Sequence, residues 1–317
     1  MALYQGKYGK KSWGAGCSVA LLSSSLMLTG CNSNNNQTVA PPPPEPTSRQ
    51  VNLNFEALAN GQTINCGTKL TGLGTAGSEA MLEDFRFYLY NLALIKDNGD
   101  SVAVTLDQNA WQAGNLALVD FQNKADKCSG ADKEIHTTIT GTVTDTVSSF
   151  VGVRFTVGVP EDRNHTNPAQ ATTPLNIASL QWSWQSGYKF MRLDVAPIGG
   201  ISRPSDANFS STAWNFHLGS TGCTGDPALN QVVTCSNSNR PEVTLSNFNL
   251  NTSRIRIDYA ALVEASVLGL DEGGPAGCMS GKTDPECNPV FPRIGLSLDT
   301  GNADASIVQK VFSVVTP

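Results

Sequence analysis

The chain is a succession of short segments in which apolar residues recur at every second position, interrupted by Gly, Asn and Pro. Side chains of a strand alternate between its two faces, so this pattern describes strands with one face buried. Val51-Asn52-Leu53-Asn54-Phe55-Glu56-Ala57 is the plainest example. A longer strand over residues 84–95 runs into Lys96-Asp97-Asn98-Gly99-Asp100, where Asn-Gly signals a hairpin turn. Residues 102–106 form the return strand. Further strands are predicted over 116–121, 137–143, 152–159, 213–219, 242–245, 254–259 and 307–315. Residues 180–195 hold Trp182 and Trp184 two positions apart; as one strand they would turn both indoles the same way. Helical spacing is confined to 78–85 and 259–268. Many short strands with turn residues between them predict an all-β, antiparallel β-sandwich with long loops, a single domain over 51–317. The connection 160–179 is longer than a hairpin needs, which marks it as a place for function.

The amino terminus does not belong to that domain. Residues 1–30 have a basic start, an apolar run from Val19 to Leu28, and the ending Leu28-Thr29-Gly30-Cys31. Small residues before a cysteine resemble a bacterial lipoprotein cleavage site, which implies a lipid on Cys31 and a membrane anchor through it. Asn32 after that cysteine, in place of Asp, points to an outer-membrane lipoprotein, periplasm-facing or surface-exposed. Residues 31–50 are rich in Asn and Pro and cannot bury apolar area; they read as a lipidated tether. Of 21 basic side chains, Lys7, Lys10 and Lys11 leave with the signal and no acid does, so the mature chain carries about −9. A surface of that sign argues against nucleic acid as a partner.

Six cysteines remain after Cys17 and Cys31: Cys66, Cys128, Cys223, Cys235, Cys278 and Cys287. An even number in an exported chain points to disulfides. Proximity pairs Cys223 with Cys235 and Cys278 with Cys287, which leaves Cys66 for Cys128. None is spaced as CxxC, so zinc and thioredoxin-like chemistry are poor readings.

Hydrolase signatures are missing: there is no Gly-x-Ser-x-Gly, no His-Glu-x-x-His and no phosphate-binding glycine loop. The chain has three histidines. His136 follows a charged stretch and reads as a surface residue. His165 lies in a polar loop, where a lone histidine is usually solvated. His217 lies in a strand, where it is usually a satisfied core residue. Both are nevertheless candidate copper ligands, since imidazole suits copper in exported proteins. Trp182 and Trp184 can pack a core, stack on Lys189 or Arg192, or with Trp214 line a sugar platform. That last use defines the alternative reading, a carbohydrate-binding or adhesion sandwich. An intact indole cannot hold a metal, because its nitrogen only donates. Oxidative ring opening to kynurenine exposes an aromatic amine with a usable lone pair.

Ordered motifs narrow the choice. Gly158-Val159-Pro160 with Asn164-His165, then Pro174-Leu175-Asn176, then Trp182-Ser183-Trp184-Gln185-Ser186-Gly187-Tyr188-Lys189-Phe190, then Phe216-His217-Leu218-Gly219-Ser220-Thr221-Gly222-Cys223 resemble the MbnP-like family, also described as metallo-mystery-pair four-cysteine proteins with a WxW motif. Asp84-Phe85-Arg86-Phe87-Tyr88-Leu89 and Leu118-Val119-Asp120-Phe121 are similar to its early strands. The resemblance covers nearly all of the chain from Val51. It implies a partner, a di-haem enzyme of the cytochrome c peroxidase type (MbnH-like), that oxidises a tryptophan to kynurenine. It implies copper held by His165, His217 and modified Trp182 or Trp184; nitrogen ligands of this kind suit Cu(I), and Asn164 and Ser183 are the nearest polar candidates to orient the imidazoles. On this reading the chain is not an enzyme. The family is named for four cysteines and this chain keeps six, so one pair is an addition.

Overall fold

The computed structural model describes residues 48–316 apart from 124–127, 129–133, 147, 184–186 and 230. The signal segment, Cys31, most of the tether and Trp184 lie outside the described residues. Among the described residues no helix is long and apolar enough to cross a membrane.

The strands that shape the molecule are β1 (Arg49–Ala59), β2 (Ser78–Lys96), β3 (Leu116–Asp120), β4 (Thr138–Val143), β5 (Phe150–Val157), β6 (Gln181–Ser183), β7 (Gly187–Tyr188), β8 (Met191–Pro197), β9 (Trp214–Leu218), β10 (Thr221–Thr224), β11 (Thr234–Asn237), β12 (Glu242–Ser246), β13 (Arg254–Asp258) and β14 (Phe312–Val315). One sheet runs β14-β13-β1-β4 and ends at Thr105–Leu106. The other runs β12-β5-β2-β8-β9 and ends at Gly277–Cys278, with β3 on the far edge of β2. Their inner faces meet in an aromatic cluster. Phe55 of the first sheet lies 5.9 Å from Phe87 and 6.0 Å from Phe155 of the second, and Phe312 lies 5.9 and 5.5 Å from the same two rings. This is the β-sandwich the alternation predicts, with all rings near edge-to-face.

Several details differ from the sequence reading. The sandwich is not wholly antiparallel: β1 runs parallel to β13, and β9 parallel to Gly277–Cys278. β1 starts at Arg49, inside the stretch assigned to the tether. The return strand over 102–106 divides, Ser101–Ala103 pairing with β2 and Thr105–Leu106 with β4 of the other sheet. Residues 78–85 are strand, not helix. In 259–268 only Tyr259–Val263 is helical, capped by Asp258, whose side chain accepts from Ala261 N. Of 307–315 only β14 is strand. Residues 180–195 are not one strand but the end of a 3-10 turn, the two-strand hairpin β6–β7, and then β8. Gly187, the first residue of β7, sits at φ +82, where other residues are strained.

The three disulfides are Cys66–Cys128, Cys223–Cys235 and Cys278–Cys287, the pairing that proximity suggested. Next to the last, Asp284 and Glu286 are buried side by side. Burial, and then the neighbouring Glu286, push the Asp284 carboxyl up to about 7. Its folded value therefore exceeds its unfolded one, near 3.9. The contribution to stability is complete below that unfolded value and is lost as pH rises through about 7. Asp284→Asn, which cannot ionise, should flatten the curve: between pH 5 and 8 the parent should lose on the order of 1 kcal/mol more than the variant in urea unfolding. Parallel curves would refute this.

Candidate metal centre

The sandwich places a charged ribbon on the outer face of its larger sheet. In Asp84-Phe85-Arg86-Phe87, in Arg192-Leu193-Asp194 and in Asn215-Phe216-His217, charged or polar residues alternate with apolar ones. The strands carrying them, β2, β8 and β9, are adjacent. Register sets Arg86 opposite Arg192 opposite His217, and Asp84 opposite Asp194 opposite Asn215. Directly opposed residues share a face, so the phenylalanines go inward and the charges outward together.

Outward does not mean exposed here. Arg86, Asp84, Asp194 and His217 are all buried, and the 3-10 turn Ala178–Leu180 lies over them. Ser179 Oγ accepts from Arg86, and the Ser179 carbonyl accepts from Arg192 and Lys189. The ions are matched within the ribbon. Arg86 holds Asp84 by two hydrogen bonds. Arg192 reaches Asp84 at 3.1 Å and Asp194 at 2.6 Å. Asp194 in turn accepts from His217 Nε2 at 2.8 Å. Burial alone would raise the Asp194 carboxyl, but His217 and Arg192 outweigh it and hold it below the usual range. Burial dominates at His217 and keeps its imidazole below the ordinary value, hence neutral at pH 7.

These facts settle the tautomer of His217. A neutral imidazole that gives its Nε2 proton to Asp194 has a bare Nδ1. That Nδ1 is buried and has no hydrogen-bond partner. A buried lone pair on a carboxylate-backed imidazole is the arrangement metal-binding histidines use.

Trp182 stands beside it. Its ring centroid is 6.3 Å from that of His217, inclined at 52°. Gly219, two residues past His217, makes the approach possible. A Cβ there would lie 2.5 Å from Trp182 Cζ3 and 2.8 Å from the Tyr188 carbonyl oxygen. The loop bearing His165 is fastened to the same hairpin. Asn164 is fully buried; its Oδ1 accepts from Tyr188 N at 2.9 Å, and its Nδ2 lies 3.3 Å from His165 Nε2. A Cβ on Gly187 would strike this Asn164 amide at 2.6 Å. Gln181 Nε2, next to Trp182, donates to Thr166 O, next to His165. Phe190 N also donates to Leu218 O at 2.6 Å, stitching the hairpin's exit to the strand of His217.

The β6–β7 hairpin is therefore the junction of the His165 loop, Trp182 and the His217 strand. His165 itself is half-buried, with Nε2 3.6 Å from Cys235 Sγ. Of the two expected polar supports, Asn164 lies against His165 and Ser183 is exposed on β6. His136 is not a surface residue: it is half-buried, stacked flat on Trp111 at 4.8 Å and bridged to Asp120. It takes no part in the junction.

A family model described as MbnP matches residues 48–280. The chain belongs to the MbnP family. The solved structure of MbnP from Methylosinus trichosporium superposes with a TM-score of 0.79 and 32% identity, over 85% of this chain and 99% of that one. Among curated proteins there is no match. The MbnP match runs through the His165 loop, the WxW hairpin and the His217 strand, and ends at Ser280. Ser280 Oγ accepts from Gly219 N and donates to His217 O, so the last matched residue still touches the junction. Cys287, α-helix Cys287–Val290 and β14 lie beyond the match.

Asp194, which holds His217 Nε2, and the buried Asp84–Arg86 pair beside it carry no site role in the sequence alone. The signal was present as charges at alternate positions of otherwise apolar strands. Its meaning depended on which strands become neighbours.

Proposed function

We propose that this MbnP-family chain is an exported copper-binding lipoprotein, anchored through Cys31 at the outer membrane, whose WxW hairpin is completed as a copper site by oxidation of a tryptophan to kynurenine. Copper would be held by His217 through Nδ1, by His165, and by the amine of the opened ring. Trp182 is the tryptophan proposed here, since its ring lies 6.3 Å from His217. The observation that carries the reading is the buried His217 Nδ1 with no partner, on an imidazole whose other nitrogen is committed to Asp194. The donor set fits: neutral nitrogen ligands, one of them on the buried His217, suit Cu(I). The oxidant is a partner enzyme of the di-haem peroxidase type, so the chain is its substrate rather than a catalyst. Copper acquisition or homeostasis is the corresponding role.

A sugar platform has less support. Trp214, the third ring such a surface would use, is 0% exposed and offers no face to a ligand.

The test is co-expression with the di-haem partner followed by peptide mass analysis. The Trp182 peptide should lose one carbon and gain one oxygen, and the protein should then bind one copper. Trp182→Phe should abolish both changes. His217→Ala should keep the oxidation and lower copper affinity roughly 100-fold. Unchanged tryptophans and no copper binding would end the proposal.

A further inference from the structure

The hairpin β10–β11 packs against the His165 loop and carries a disulfide unlike the other two. Cys278 and Cys287 are wholly buried and Cys66 and Cys128 nearly so, whereas Cys223 and Cys235 are half-exposed. The two cysteines face one another directly across β10 and β11. His165, Cys223 and Cys235 form the only group among the described residues in which three such side chains bring their ligand atoms within 4.8 Å of one another. Between the two strands, Leu229 is 67% and Val232 83% exposed.

We infer that Cys223 and Cys235, once reduced, form with His165 a second Cu(I) site, so that this disulfide is a redox gate on copper binding. The site goes beyond the kynurenine centre proposed above. It shares His165 with that centre and needs no modified tryptophan.

In the disulfide, the two sulfurs are bonded to each other and are poor donors. Accessible disulfides are the ones thiol exchange can open. A dithiol reductant of the exported thiol–disulfide oxidoreductase class supplies the two electrons. One of its thiolates attacks a cysteine sulfur and expels the other cysteine as thiolate. Its second thiol then resolves the mixed disulfide. The products are two cysteine thiols and the oxidised reductant. Binding of Cu⁺ displaces the two thiol protons and gives a trigonal set of two thiolates and one imidazole, the soft donors Cu(I) selects.

The geometry should outlast reduction, because other bonds hold the hairpin. Thr221 pairs with Asn237 and Thr224 with Thr234 on either side of the cysteines. Ser220 Oγ donates to Ser238 O, and Asn239 Nδ2 donates to Gly219 O at 2.7 Å. The thiols therefore remain opposed beside His165.

The experiment uses full-length protein made without the di-haem partner, its tryptophans verified as unmodified by intact mass. A phosphine reductant is applied and removed under anaerobic conditions, and differential alkylation identifies the opened disulfide. Cu(I) is then titrated against bathocuproine disulfonate. Cys223 and Cys235 should open first, and the reduced protein should retain one Cu(I) per chain. The oxidised protein and Cys223→Ser/Cys235→Ser should bind roughly 100-fold more weakly. Wild type whose two freed thiols are blocked with iodoacetamide should match them, which covers a double variant that folds poorly. Equal Cu(I) retention by the reduced and thiol-blocked proteins would overturn the inference, as would earlier opening of Cys66–Cys128. Failure of the tryptophan to oxidise would refute only the proposed function.

Discussion

Asp194→Ala is expected to cost about 3–5 kcal/mol of folding stability, the range for removing one partner of a buried ion pair. In the intact ribbon two guanidinium groups, Arg86 and Arg192, face two carboxylates, Asp84 and Asp194, and His217 is neutral. All but Arg192 are essentially sealed from water. Alanine at 194 removes one negative charge and leaves two cations sharing Asp84. It also leaves His217 Nε2–H without its acceptor, a second desolvation penalty. Asp194→Asn is the more informative variant for function. It keeps the volume and can still accept one hydrogen bond, but it can also present an N–H to His217 and invert the tautomer. Copper affinity should then fall about 10–100-fold even where the fold survives. Urea unfolding and copper competition on both variants check this. A loss below about 1 kcal/mol for Asp194→Ala would mean that water or another acceptor satisfies the ribbon.

The sequence showed the sandwich more clearly than it showed the junction, and local geometry explains why. β1 and β9 could be read directly because each residue's facing follows from its position in the strand. Residues 78–85 misled because Asp194 pairs with Asp84 but Val195 pairs with Leu82, so Glu83 is skipped. That bulge puts the core residues Leu82 and Phe85 three apart, which is helical spacing inside a strand. A second irregularity lies between Arg154 and Thr156, opposite Asn91 at φ +54, and lets the 19-residue β2 turn from β8 to β5. The double-tryptophan stretch misled for a different reason. Its apolar content is that of a strand, but it divides into the short pair β6–β7 and then β8, and Ser179 of the turn before it lies against charge. Residues that cover others from a distance leave no periodic trace. His165 and His217 are candidates by imidazole chemistry and are singled out by resemblance, whereas Asp194 becomes visible only with β8 beside β9.

Gly219→Ala tests whether the junction needs its close approach. The added Cβ would fall 2.5 Å from Trp182 Cζ3, 2.9 Å from Cη2 and 2.8 Å from the Tyr188 carbonyl oxygen. Something must move, and three contacts decide what. Gly219 N is held by Ser280 Oγ, Gly219 O is held by Asn239 Nδ2, and the Tyr188 amide on the facing hairpin is held by Asn164. The strand and the hairpin are both pinned, so the indole is the part that can yield, with the hairpin displaced as far as Asn164 permits. Overpacking of this kind costs about 1–3 kcal/mol. Displacement of Trp182 from His217 should do more damage to the proposed copper centre than to the fold. With the di-haem partner present, the yield of oxidised Trp182 peptide should drop at least roughly ten-fold, since about 1 Å of misplacement can cost more than that in rate. Trp182→Phe would lose the same product by removing the ring, while Gly219→Ala keeps the ring and moves it. Full conversion of Trp182 in Gly219→Ala would show that the oxidation tolerates a displaced indole, and that Gly219 serves packing alone.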